Sequence, residues 1–366
     1  MILIPVFLSI ILIYTVFAVY AERKISGFIQ DRYGPVEVGP HGIMQTVADL
    51  IKLLIKEDIV PQSADRKLFI AAPAIVFSAI FAGYAVLPFA PGLEASRASV
   101  GVFYLLAIIS LDVIGLLMAG WGSNNKFSLY GAIRAVAQMV SYEVPLSLSV
   151  LAVVMTCQTL DLQEISYQQS LWIKDFSTVS DANYLFGIQS WNINLTEVGG
   201  FLTWNIFRNP VLMVGFVVFF VASLAECNRA PFDIPEAESE LVAGFHTEYT
   251  GFRFAVLFLG EYAIMLLVSF LASILFLGSW NSPFPNIGFI RLADWTNGYP
   301  GTFSGIAWGT FWLILKAFSL IGLQMVIRWT YPRLRVDQLM FLCWKVLTPL
   351  ALVIILISGF WRLLMN

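Results

Sequence analysis

Five ionisable side chains stand inside strongly apolar stretches: Asp112, Glu143, Glu226, Glu261 and Lys316. A charge in hydrocarbon costs roughly 2.5–3.5 kcal/mol on insertion scales, so groups of this kind are functional candidates by default. Carboxylates and an amine held away from water can share, hold and pass protons, and proton transfer is the chemistry these residue types suggest. The plain alternatives are structural. Glu143 and Glu226, near expected helix ends, could snorkel to water, and Asp112, Glu261 and Lys316 could form an ion pair that only joins helices.

The densest constellation runs from Glu226 to Glu248. Glu226, Asp233, Glu236, Glu238, Glu240 and Glu248 are six carboxylates within 23 residues, with Arg229 and then Arg253 beside them. Pro231 and Pro235 prevent a regular helix from running through, which is expected to bring the acids to one place. Crowded carboxylates in a low-dielectric site cannot all ionise, so the segment reads as a proton reservoir, with a solvated acidic loop as the plain alternative. A second charged knot, Glu22-Arg23-Lys24 followed by Asp31-Arg32, closes the first apolar run. Taken alone, such neighbours are membrane-surface anchors.

Composition excludes several other chemistries. Cys157, Cys227 and Cys343 lie far apart with no CxxC pair, and His41 and His246 are the two histidines. Neither a disulfide framework nor an iron–sulfur, zinc or haem ligand set is expected from this chain alone. No glycine-rich nucleotide motif is present, and no nucleic-acid partner is expected. With 58% hydrophobic and 12% charged residues in 366, the chain carries about half the charge of a soluble domain. Its main solvent is lipid.

The elements that position these groups are therefore all-α and membrane-spanning. Eight spans are expected, at about 1–20, 69–90, 101–120, 140–158, 208–226, 253–278, 304–327 and 345–363, within a single integral membrane domain of residues 1–366. The opening run lacks a basic n-region and a small-residue cleavage site, and reads as a spanning helix. Loops after the odd-numbered spans hold 15 Lys and Arg, against 5 on the other face, so both termini are expected outside the cytoplasm. Between the first two spans, residues 41–57 place apolar side chains at 43, 44, 47, 50, 51, 54 and 55. That period of 3.6 predicts an amphipathic helix along the cytoplasmic interface, or roofing a cavity there. The acidic loop is expected over about 226–252 and a long polar outer loop over about 159–207. No internal repeat is visible.

Five stretches carry a family resemblance: AERKISGFIQDRYGP, QTVADLIKLLIKED, GWGSNNKFSLYGAIRAVAQMVSYEVPL, AECNRAPFDIPEAESELVAGFHTEYTGFRFAVLFLGEY and RWTYPRLRVDQLM. In this order they resemble the signatures of the NADH dehydrogenase subunit 1 family, the quinone-proximal membrane subunit of respiratory complex I. The fourth, 38 residues from Ala225 to Tyr262, is the most specific. The resemblance implies a subunit that helps form a quinone channel and couples quinone reduction to proton translocation. Glu22, Arg23, Arg32, Asp49 and Phe232 match positions lining or bordering that channel, and Arg229 and Arg253 match its basic flank. Glu226, Asp233, Glu236, Glu238, Glu240 and Glu248 match an acidic funnel below the quinone. Glu143 and Glu261 match carboxylates leading to the next membrane subunit, while Asp112 sits where an acid is common.

The implied substrate is a quinone, ubiquinone or menaquinone, with FMN and iron–sulfur clusters on partner subunits. The implied partners are the soluble quinone-site and iron–sulfur subunits and small membrane neighbours. The outer segment is longer than the family's usual connection, which points to a bacterial inner membrane rather than a mitochondrial one. The order of residues around Ile327-Arg328-Trp329-Thr330 also departs from the family's pattern. Alternatives are the equivalent subunit of a membrane-bound hydrogenase or formate hydrogenlyase, an autonomous proton or cation transporter, and a structural membrane anchor.

Overall fold

The computed structural model describes the chain except residues 1–2, 179–183, 189–193, 236–237, 288–289 and 366, and the side chains of 3, 4, 238, 239 and 365. Helices dominate, as the composition requires: α1 Leu3–Ile29, α2 Gln45–Ile55, α3 Arg66–Gly83, α4 Gly101–Gly122, α5 Lys126–Cys157, α6 Pro210–Glu226, α7 Gly251–Leu275, α8 Phe303–Thr330 and α9 Val336–Leu364. Among the described residues, 7 helices (all of these but α2 and α6) are long and apolar enough to cross a membrane. The fifth expected span is α6, apolar but only 17 residues long. At 1.5 Å per residue it reaches roughly 26 Å, a little short of a hydrocarbon core of about 30 Å.

Several boundaries differ from the sequence expectation, among them the end of α1 at Ile29 and the start of α9 at Val336, and two have identifiable reasons. Helix α5 starts at Lys126, not near 140, because the Asn125 side chain caps it by accepting from the Phe127 N–H at 2.9 Å. Its first turns bury Ser128, Gly131, Ala132 and Ala135 while Lys126 stays exposed, so hydropathy reads them as loop. Glu143 consequently sits mid-helix rather than at a helix start. The amphipathic helix is shorter than 41–57. Its N-terminal part is a turn, Pro40–Gly42, in which His41 holds φ 54°.

Helix α7 is the centre of the bundle, packed against α1, α3, α6 and α8, with α2 across its N-terminal end. From Tyr262 to Leu275 every one of its residues is buried. On the other flank, α5 packs between α4, α6 and α9. The outer segment is folded onto the far end of α7. Gln169 donates to the Ile274 carbonyl at 2.9 Å and accepts from the Asn205 and Gly278 N–H groups, both at 3.0 Å. These bonds satisfy backbone groups that a helix end leaves without partners. A small antiparallel pair, Asn286–Ile287 with Ile290–Arg291, completes this face.

Candidate functional site

Helix α1 continues past its apolar run to Ile29 and carries Glu22 and Arg23 into the cleft between α7, α8 and the turn after α6. Glu22 is 6% exposed and surrounded by donors. The Tyr262 hydroxyl of α7 donates to its Oε2 at 2.6 Å. Arg328 at the end of α8 donates to its Oε1, and Arg229 approaches Oε2 at 3.5 Å. The Arg229 guanidinium also lies over the Tyr262 ring, 4.3 Å from its centroid. A buried carboxylate is tolerated only when paired and hydrogen-bonded in this way. Arg23 turns the other way, to Asp49 of α2 at 2.5 Å, and Gln45 donates to the same carboxylate at 3.1 Å. The roofing helix is thus tied to α1 by charge as well as by its apolar face.

Beneath lies a cavity of about 300 Å³ lined by Glu22, Arg23, Arg229, His246, Glu261 and Arg328, with Val19, Phe254, Phe258, Tyr262 and Trp329 supplying apolar wall. Among the described residues, Glu261 and Glu22 are its acids. Glu261 also borders a second, smaller void of about 10 Å³ whose lining includes Asp112, Glu226 and Asn228. That volume is near the lower limit for one water molecule. Helices α4, α6 and α7 therefore each bring one acid to the void, and α7's acid faces both spaces. His246, on the turn Gly244–His246, stands 2.9 Å from Glu261 between its Nε2 and Oε1. The turn reaches this depth because Gly131 of α5 has no side chain. A Cβ there would lie 2.7 Å from the Gly244 Cα.

The other expected residues are distributed more widely. Glu143 accepts from Ser110 of α4, two residues before Asp112, and borders neither space. Asp233 is held by Arg333 at 2.9 Å, Glu240 by Arg134 at 2.6 Å and Glu248 by Asn125 at 2.5 Å. The described acids of the loop therefore do not gather at one place as expected. Asp233 is drawn to the connection between α8 and α9, Glu240 to α5 and Glu248 to the N-cap of α5. Glu236 and the Glu238 side chain lie outside the described residues. Phe232 packs edge-on to Tyr142, 5.3 Å between centroids, away from the cavity lining. Arg253 pairs with Asp58 at 3.1 Å, and Arg32 contacts Gln30 at the surface. Next to Arg253, burial raises the Tyr249 phenol above its ordinary value, and its OH donates to the Phe69 carbonyl at 3.1 Å.

Lys316 stands apart from the acids. Its ammonium donates to the carbonyls of Leu277 at 2.7 Å, Ser279 at 2.9 Å and Asn281 at 2.6 Å, and lies 4.3 Å from the Trp204 ring centroid. It closes the C-terminal end of α7. Conversely, Arg328, Tyr262, His246 and Trp329 line the cavity without having been singled out from sequence. For Arg328 the available signal was its place at a helix end after an apolar run, which also describes an ordinary surface anchor.

Fold and site together define a polytopic membrane protein whose interior holds paired and linked ionisable groups beside a partly apolar cavity. The NADH dehydrogenase family model matches residues 2–359. The second H-type NADH-quinone oxidoreductase protein of Cytophaga hutchinsonii is 62% identical over 354 residues, covering 97% of this chain and 96% of that protein. The H-type protein of the NADH-quinone oxidoreductase of Chlorobium luteolum is 51% identical over 95% of this chain and 84% of its own length. Its counterpart of the same name from Chlorobaculum parvum is 50% identical over 94% and 87%. The chain belongs to the NADH dehydrogenase subunit 1 family, membrane subunits of complex I, and is an enzyme subunit.

Proposed function

We propose that this chain is the membrane subunit of a proton-translocating NADH:quinone oxidoreductase that forms part of the quinone channel and passes the protonation change of quinone reduction into the membrane arm. The observation that carries this reading is the double exposure of Glu261, to the 300 Å³ cavity and to the void of Asp112 and Glu226. The cavity mixes aromatic wall with a few convergent charges, the usual make-up of a small-molecule site. Reducing a quinone consumes two protons, so charge in the cavity changes with each turnover. A carboxylate on its wall responds by binding or releasing a proton, and its charge alters the preference of the next acid. Redox centres, FMN and iron–sulfur clusters, belong on soluble partner subunits seated over the Arg- and Lys-rich face. The setting is a bacterial inner membrane with both termini outside the cytoplasm. Glu143, linked to α4 through Ser110, continues the series toward a neighbouring membrane subunit.

The test is Glu261→Gln in the assembled oxidoreductase in native membranes. Quinone-linked NADH oxidation and proton translocation are expected to fall together while NADH oxidation by an artificial acceptor is retained. Full quinone turnover with full translocation would make Glu261 a structural partner of His246 and remove the basis of this reading.

A further inference from the structure

We propose that His246 carries protons between the cavity and Glu261; this rests on the reading of Glu261 as a proton-coupling group. His246 lines the cavity, and its Nε2 is hydrogen-bonded to Glu261, which also borders the inner void. The bond can be made in either protonation state. Imidazolium Nε2–H donates to the Glu261 carboxylate. Transfer of that proton leaves a neutral imidazole accepting from a carboxylic acid, with no change of electrons. Histidine changes charge near neutral pH, which suits it to this step better than the arginines on the same wall, which stay protonated.

The ring is also held in place. Phe245 and Phe254 flank it at 4.1 and 5.3 Å between centroids, and it is 7% exposed. Its backbone turn is pressed against α5 at Gly131. The charged groups that face it are Glu261 from α7, Glu22 and Arg23 from α1, Arg229 from the turn after α6 and Arg328 from α8. Behind it, Arg134 of α5 is engaged by Glu240, and Asp112 of α4 lies on the void beyond Phe245. Glu22 pairs with Arg328 and Arg229, and Glu261 pairs with the imidazole.

The experiment compares His246→Gln, His246→Ala and Glu261→Gln in the assembled oxidoreductase, each normalised to its artificial-acceptor rate. His246→Gln is expected to lower quinone-linked turnover by about 100-fold, the lower end for losing a positioned proton donor, and to change the pH profile between about pH 5.5 and 8. Added imidazole is expected to restore part of the rate to His246→Ala and none to Glu261→Gln. Wild-type turnover and pH profile in His246→Gln, beside a defective Glu261→Gln, would overturn the role of His246 and leave that of Glu261. A loss in both histidine variants that imidazole does not relieve, with the wild-type pH profile, would make His246 a packing residue and also overturn the proposal. A silent Glu261→Gln would defeat the underlying reading itself.

Discussion

Replacing Arg328 and Glu22 together is expected to harm the protein clearly less than the sum of the two single replacements. Glu22 is buried between Arg328, the Tyr262 hydroxyl at 2.6 Å and Arg229 at 3.5 Å. Removing one partner of a buried ion pair costs about 3–5 kcal/mol, because the other charge is stranded. Arg229 and Tyr262 stay with Glu22, and the Arg328 side chain is 25% exposed. The lower end, about 3 kcal/mol, is therefore the expected cost of Arg328→Gln. Glu22→Gln strands two guanidiniums instead, at a similar cost. In the double variant neither charge of that pair remains, so the combined loss should fall short of the sum by about 2 kcal/mol, within the range found for contacting pairs. That corresponds to roughly 30-fold in a rate constant. The assay is thermal inactivation of the assembled oxidoreductase in membranes, followed by quinone-linked turnover, for wild type, both single variants and the double. Losses that simply add, within about 0.5 kcal/mol, would refute the account of Glu22 as the shared partner of the cluster.

Other consequences follow from single contacts. Lys316→Met should lower thermal stability substantially, since three buried carbonyls at 2.6–2.9 Å lose their donor, while Lys316→Arg should recover only part of it because a planar fork does not fit that cage; inactivation temperature reads both. Gly131→Ala should push the Gly244–His246 turn off α5, since its Cβ would meet the Gly244 Cα at 2.7 Å, and so lower quinone-linked turnover more than acceptor activity. In the connection between α3 and α4, burial and then the charge of Asp161 raise the Glu94 carboxyl above its ordinary value, against the opposing pull of Arg97. The folded state thus binds that proton more tightly, and its contribution to stability, present below the ordinary carboxylate range, is lost as pH rises through the raised value. Glu94→Gln should flatten the decline in thermal stability of wild type between about pH 4 and 6, and an unchanged profile would contradict this.

Much of the architecture could be read from residues because hydropathy reports solvent. The apolar runs of α1, α4 and α8, the period of α2 and the acids inside the helices were all visible locally. Helix α5 was misjudged at its start, where a helix with one buried small-residue stripe and a charged face resembles a loop in a hydropathy window. The acidic loop was legible as an acidic loop, but not the separate partners of Asp233, Glu240 and Glu248, since each partner belongs to another helix or turn. Arg328 looked like any basic residue at a helix end, and Lys316 looked like a member of the intramembrane acid series until its carbonyl cage was seen.

The sequence by itself determined the solvent, the helical class, the family and the residue types available for proton chemistry, because each of these is set by composition, local period or contiguous motif. Only the tertiary structure decided which charges meet. Glu22 finds Tyr262 at a separation of 240 residues and Arg328 at 306. Such pairings depend on how helices α1, α7 and α8 pack side by side, and packing of apolar surfaces in lipid is settled by shape complementarity over whole helices, which no short window of sequence contains.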